Sequence, residues 1–139
     1  MSRVFLDTNI LVYSVDNNEP AKRDKCRDLI RSLGGENVGV VSTQVLQEFY
    51  VVATRKLSVE PLTARRAMHL LPNFEVVTIT VPLIELAIDI NVADQLSFWD
   101  ALIVAAATSA GCDEMWTEDL QHGRTLRGGR VADPLRSPA

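Results

Sequence analysis

Apolar residues along this chain follow two alternating spacings. Short runs such as Val4-Phe5-Leu6 and Val38 to Val41 have the length and composition of buried strands. Phe74 to Thr80 alternates and is rich in β-branched residues, and Glu114 to Thr117 is a further short strand. Between these runs the apolar positions fall three and four apart, as in Val45, Leu46, Phe49, Val52 and Ala53. Strand, helix, strand in repeated order predicts an α/β domain with a mainly parallel sheet.

Polar and special residues mark the boundaries. Asp7-Thr8-Asn9 ends the first strand and can cap a helix starting near Ile10. A second helix is predicted from Pro20 to the Gly34-Gly35 pair. Ser42 or Thr43 caps the helix through Val45, and Leu62 to Leu71 forms another, stopped by Pro72-Asn73. Pro82 opens a helix to about Val92. Ser97 caps one from Phe98 to about Ala110, with Gly111 as its terminator. Arg130 to Ala132 is a candidate last strand before Pro134.

Composition changes little in this outline. With 139 residues and no repeat or linker, residues 1–139 read as a single domain large enough to bury a core. The net charge of −4 argues against nucleic-acid binding through bulk positive charge, but not against a nuclease whose acids bind a cation. Cys26 and Cys112 are too few for a disulfide framework. They also lie too far from His69 and His122 to suggest a zinc site. The expectation is a reduced, cytoplasmic protein. The opening residues run straight into VFLD, and the longest apolar stretch, Ala101 to Ala107, is too short to cross a bilayer, so no membrane role is expected.

Acidic residues carry the candidate chemistry. Asp7 in VFLDTN, Glu48 in VLQEFY, Asp100 in SFWDAL and Asp119 in MWTEDL are far apart in sequence, yet each stands at a strand end or in an early helical turn. In a parallel sheet such positions share one edge. Each has a structural explanation of its own. Asp7 can cap a helix, Asp100 follows Ser97 at capping-box spacing, Glu48 can be solvated and Asp119 can form a turn. Taken together they point to a hard cation, Mg²⁺ or Mn²⁺, and to phosphodiester hydrolysis. Asn9, Ser42, Thr43 and Thr117 are the neutral groups available to orient the acids.

LDTNILVY, STQVLQEF, SFWDALIVAAA and WTEDLQHG, in this order, resemble the PIN-domain ribonucleases, and most of all the VapC-type toxins of bacterial toxin–antitoxin pairs. The resemblance implies a three-layer α/β/α fold and a Mg²⁺- or Mn²⁺-dependent endoribonuclease with Asp7, Glu48, Asp100 and Asp119 as metal-binding and catalytic acids. Thr8 or Asn9 and Thr117 match the polar helpers. Glu118 competes with its neighbour Asp119 for the fourth position, and the T-x-D pattern favours Asp119. The resemblance also implies RNA as substrate, a cognate antitoxin, a homodimer, and promoter DNA reached only through the antitoxin.

Other readings stay open at this stage. One is an RNA-processing nuclease of the same family without a toxin role. Another is a phosphotransfer domain with Asp7 as nucleophile, although the C-terminal half has no lysine to meet a phosphoryl group. A His69/His122 ribonuclease is a third reading, with only those two histidines available; a catalytically silent binding domain is a fourth, and the four filled acidic positions argue against decay but not against regulation by a partner. The basic run Lys22, Arg23, Lys25, Arg27 and Arg31 reads as a solvated face. Arg124 and Arg127, close after Asp119, are candidates for substrate or antitoxin contact, and His122 for a phosphate or proton role. Core packing is the expectation for both Trp99 and Trp116, with base stacking the alternative for Trp99.

Overall fold

Strand order explains where the acids meet. The computed structural model describes residues 2–69 and 73–136. Its sheet comprises β1 (Arg3–Leu6), β2 (Val38–Ser42), β3 (Glu75–Val77), β4 (Glu114–Trp116), β5 (Thr125–Leu126) and β6 (Gly129–Ala132), in the order β3-β2-β1-β4-β6-β5. All neighbours are parallel except β5 and β6. The helices are α1 (Thr8–Tyr13), α2 (Pro20–Arg31), α3 (Thr43–Arg55), α4 (Pro61–His69), α5 (Val81–Asp94) and α6 (Phe98–Ser109).

From β1 the chain steps outward to β2 and β3, then crosses back to β4 on the other side of β1. Right-handed crossovers therefore put α1 to α4 on one face and α5 and α6 on the other, giving three layers. Contacts agree: α1 packs on α2 and α3, α3 on α4, and α5 on α6. Covered on both faces, the central strands can be continuously apolar. Phe5, Leu6, Val40 and Val41 are fully buried, as are Val104, Ala105 and Ala106 of α6. The change of direction between β1 and β4 makes their C-terminal ends a topological switch point, the usual place for a site in such a sheet.

The predicted elements appear with shifted ends. Ser42 caps α3 by accepting from the Val45 N–H (3.3 Å), while Thr43 Oγ1 accepts from the Ile79 N–H (3.1 Å). That bond helps explain why β3 is shorter than the predicted 74–80: the chain leaves the ladder to bond a side chain. Helix α2 ends at Arg31, before the glycine pair, because Ser32 satisfies its last carbonyls. The Ser32 N–H donates to Asp28 and Leu29, and its hydroxyl donates to Leu29 O (2.6 Å). The predicted end of α4 at Leu71 and Pro72 lies outside the described residues.

Gly111 terminates α6 as predicted. At φ +67° it allows its own N–H to reach Thr108 O and the Cys112 N–H to reach Ala107 O, both at 3.0 Å, a Schellman turn. The β5–β6 hairpin is absent from the sequence-based outline. Its two-residue turn places Arg127 at φ 50° and Gly128 at φ 88°, the positive pair that a tight hairpin requires.

Candidate functional site

Asp7 forms the floor of the site. It follows β1 directly, its N–H donates to Trp116 O of β4 (3.0 Å), and the residue is only 6% exposed. Both carboxylate oxygens are held. The Thr8 N–H donates to Oδ1 and the Thr117 hydroxyl to Oδ2, each at 2.7 Å. Thr117 is fully buried and bridges two acids, since its Oγ1 also accepts from the Asp119 N–H (3.0 Å). Asn9 Nδ2 then donates to Asp119 Oδ2 (3.0 Å), tying α1 to the loop after β4. Thr8 Oγ1 reaches Glu48 Oε1 of α3 at 3.3 Å. The neutral helpers expected from the sequence thus link Asp7, Glu48 and Asp119.

Electrostatics join the fourth acid. Burial raises the Asp7 carboxyl to about 6; the Thr117 and Thr8 hydrogen bonds oppose the rise, and the Asp119 and Glu48 charges add to it. Glu48 counts as an exposed residue, yet its carboxyl is also raised. Partial loss of water is the larger cause, with Asp100 and Asp119 adding and hydrogen bonds from Thr8 and Gln44 opposing. Asp100 sits in the first turn of α6, its N–H held by Ser97 Oγ (3.1 Å). The Asp100 charge thus acts on Glu48, while that of Asp119 acts on both Glu48 and Asp7.

Glu118 points elsewhere. Its Oε1 accepts from the Tyr13 hydroxyl (2.7 Å), and Lys22 Nζ lies 3.4 Å from that hydroxyl and 4.8 Å from the ring centre. Its charge acts on Tyr13 and Lys22, whereas that of Asp119 acts on Asp7 and Glu48. Of the two neighbouring acids, Asp119 belongs to the cluster.

The donors suit a hard divalent cation in kind: all are oxygens, two of the carboxyls are raised by burial and mutual charge, and the buried Asn9 Oδ1 has no hydrogen-bond partner. As they stand, no three His, Cys, Asp or Glu side chains among the described residues are close enough to grip one ion. Asp7 in particular has both oxygens turned to Thr8 and Thr117. Two cavities of about 320 and 590 Å³ lie beside α3 and α4, and no acid of the cluster lines either.

Other sequence candidates have partners of their own. Arg124 Nη2 donates to the Asp94 carbonyl (3.4 Å), and Arg127 Nε pairs with the Asp94 carboxylate (3.3 Å), binding the hairpin to the end of α5. His122 Nδ1 accepts from the Asp133 N–H (3.0 Å). Ser42 and Thr43 serve α3 and the β3 exit. Trp116 is half-buried, but Trp99 is 63% exposed, so core packing does not hold for it. Helix α6 buries its long apolar face from Ala101 onward and leaves Trp99 outside.

Sequence reasoning passed over two residues. Gln44, buried in the first turn of α3, donates to the Trp99 carbonyl (3.4 Å) and so ties α3 to the start of α6. Tyr13 fixes Glu118. Nothing in their local sequence marks them, because both depend on a contact distant along the chain.

Comparison with known proteins bears on the fold and the family. The PIN domain family model matches residues 4–126, a span that includes all four acids. No curated protein matches the sequence. The crystal structure of Mycobacterium tuberculosis VapC20, a sarcin–ricin loop cleaving toxin, is similar at 25% identity and a TM-score of 0.68, over 84% of this chain and 91% of that one. A toxin–antitoxin complex from Klebsiella pneumoniae matches at 20% identity and 0.69, over 96% and 99%. VapBC2 from Rickettsia felis, bound to a DNA fragment from its promoter, matches at 20% and 0.63, over 84% and 88%. With the family model matched across most of its length, this chain belongs to the PIN-domain family.

Proposed function

We propose that this protein is a metal-dependent endoribonuclease and the toxin of a toxin–antitoxin pair, blocking translation by cutting RNA. The observation that carries the reading is the Thr117 hydroxyl, which binds the buried Asp7 carboxylate and the Asp119 backbone at once. A buried, hydrogen-bonded acid that feels the charges of two further acids, Asp119 and Glu48, is costly to the fold without a positive occupant. Asp7, Glu48, Asp100 and Asp119 would hold Mg²⁺ or Mn²⁺. Such an ion supplies a more acidic water and positive charge opposite the reacting phosphate. Thr117, Thr8 and Asn9 keep the carboxylates in place, and the burial of Asp7 gives that ligand a fixed position.

The phosphotransfer reading is poorly supported. No lysine follows β4 to meet a phosphoryl group, and Asn9 stands where a second aspartate two residues after Asp7 would help that chemistry. The toxin role is supported by the toxins and toxin–antitoxin complexes among similar structures. An antitoxin is the proposed partner, and promoter DNA is bound only through it, as the net charge of −4 suits. An exposed apolar row on α5, Val81, Ile84, Ile88 and Val92, suits a homodimer. We place the protein in the cytoplasm. Among the described residues no helix is long and apolar enough to cross a membrane.

Purified protein is expected to cleave RNA with Mg²⁺ or Mn²⁺ and to stop in EDTA; cleavage that persists in chelator rejects the metal mechanism. Expression alone should arrest growth and co-expression of the antitoxin should relieve it. Soluble, RNA-cleaving protein without arrest would favour an RNA-processing role.

A further inference from the structure

We propose that Trp99 is a stacking platform for a nucleobase of the RNA held at the acids, and that stacking supplies grip there which phosphate pairing does not. The inference rests on the ribonuclease reading above. Trp99 breaks the burial pattern of its helix: it is 63% exposed, while Ala101 to Ala107 are all buried. Indole is a large apolar surface that folded proteins normally cover, so an exposed one calls for an occupant.

The residue is also held in place. Ser97 caps its helical turn, and the buried Gln44 side chain donates to its carbonyl from α3. Phe98 meets the indole edge to face, with centroids 5.2 Å apart and planes at 77°. Such a contact covers at most one face of the indole. The next residue is Asp100, so an RNA strand that lies across the acids passes its bases over this turn.

Charge favours stacking over ion pairing. Four carboxylates repel the RNA backbone, and three cations near the acids in sequence or beside Tyr13 have partners of their own. Arg124 and Arg127 bind Asp94, and Lys22 lies against Tyr13 and 3.8 Å from Glu19. Stacking requires no positive charge and accepts any base. A protein partner laid over the same ring is the competing occupant.

The test is fluorescence anisotropy of a labelled oligoadenylate in EDTA across a KCl series, which reads binding without metal-dependent cleavage. Trp99→Leu is expected to weaken binding by about 10-fold, within the range for losing one stacked base, and Trp99→Tyr by only about 2- to 3-fold. The salt slope should stay that of the wild type, whereas loss of one phosphate contact would change it by about 0.7. An abasic oligomer of equal length carries the same phosphates. It should bind the wild type more weakly and be indifferent to Trp99→Leu.

Unchanged affinity in Trp99→Leu overturns the proposal, as does a changed salt slope or an abasic oligomer that binds the wild type equally well. The abasic arm needs no variant, and Trp99→Tyr decides if Trp99→Leu fails to fold. No binding by the wild type in EDTA also overturns it, since the grip needs no ion. If Trp99→Leu spares RNA but loosens a purified antitoxin, the ring is a protein contact and the proposal fails. Failure of the ribonuclease reading looks different: RNA binding still responds to Trp99, but Mg²⁺ brings no cleavage.

Discussion

Asp7 and Thr117 show how one side chain can serve the fold and the chemistry with opposite consequences. Burial raises the Asp7 carboxyl from its ordinary value to about 6, so the folded state holds a proton more tightly than the unfolded chain. Stability from this group is fully present below pH ~4, where the carboxyl is protonated in both states, and declines as pH rises through about 6. Metal-free protein should therefore melt lower at pH 7 than at pH 5 through this group. Asp7→Asn should flatten that slope and raise the melting temperature at pH 7, with a gain on the order of 1–2 kcal/mol, while RNA cleavage falls at least ~100-fold. Thermal melts in EDTA and a cleavage assay check both, and an activity near wild type would mean that Asp7 is only a helix cap.

Thr117→Val keeps the shape but removes the hydroxyl that stabilises the Asp7 carboxylate and accepts from Asp119. We expect a loss of about 1–3 kcal/mol and a 10- to 100-fold drop in rate. The acid limb of the pH–rate profile should move to higher pH, since a bond that lowered the Asp7 carboxyl is gone. An unmoved limb would remove Thr117 from the account of Asp7. The sequence made the acids and Thr117 legible, because a carboxylate after an apolar run stands out. It could not show that Arg124 and Arg127 turn to Asp94, or that Trp99 faces water, because these outcomes depend on what lies across the fold.

At the scale of elements, caps were the most readable feature. Ser42, Ser97 and Gly111 mark the ends of α3 and α6 where their chemistry places them. Gly111→Ala should cost about 1 kcal/mol because the Schellman turn needs φ +67° there, and cleavage should be unchanged because the turn lies at the end of α6 opposite Asp100. A chemical-denaturation midpoint equal to wild type would remove the turn from the account of α6. The β5–β6 hairpin escaped sequence reading: Arg127 is an unusual residue for a positive φ, and Thr125-Leu126 is too short to register as a strand. The ends of α2 and β3 shifted for a related reason, since Ser32 and Thr43 replace ladder or helix bonds with side-chain bonds.

For the whole molecule, strand order does most to create the site. The alternation of apolar spacing predicted a parallel α/β sheet, but only the order β3-β2-β1-β4 brings the ends of β1 and β4 together and aims α3 and α6 at them. The resulting concentration of negative charge should make folding and ion binding one linked equilibrium. Saturation at 100 times the dissociation constant adds about 2.7 kcal/mol, enough to raise the melting temperature by several degrees.

Calorimetric titration of Mn²⁺ into metal-free protein, without RNA, tests the central claim most directly. Wild type should bind the ion, and Asp7→Asn and Asp119→Asn should each bind it at least about 10-fold more weakly. Equal binding by all three proteins, or no binding by the wild type, would contradict a cation site built from these acids.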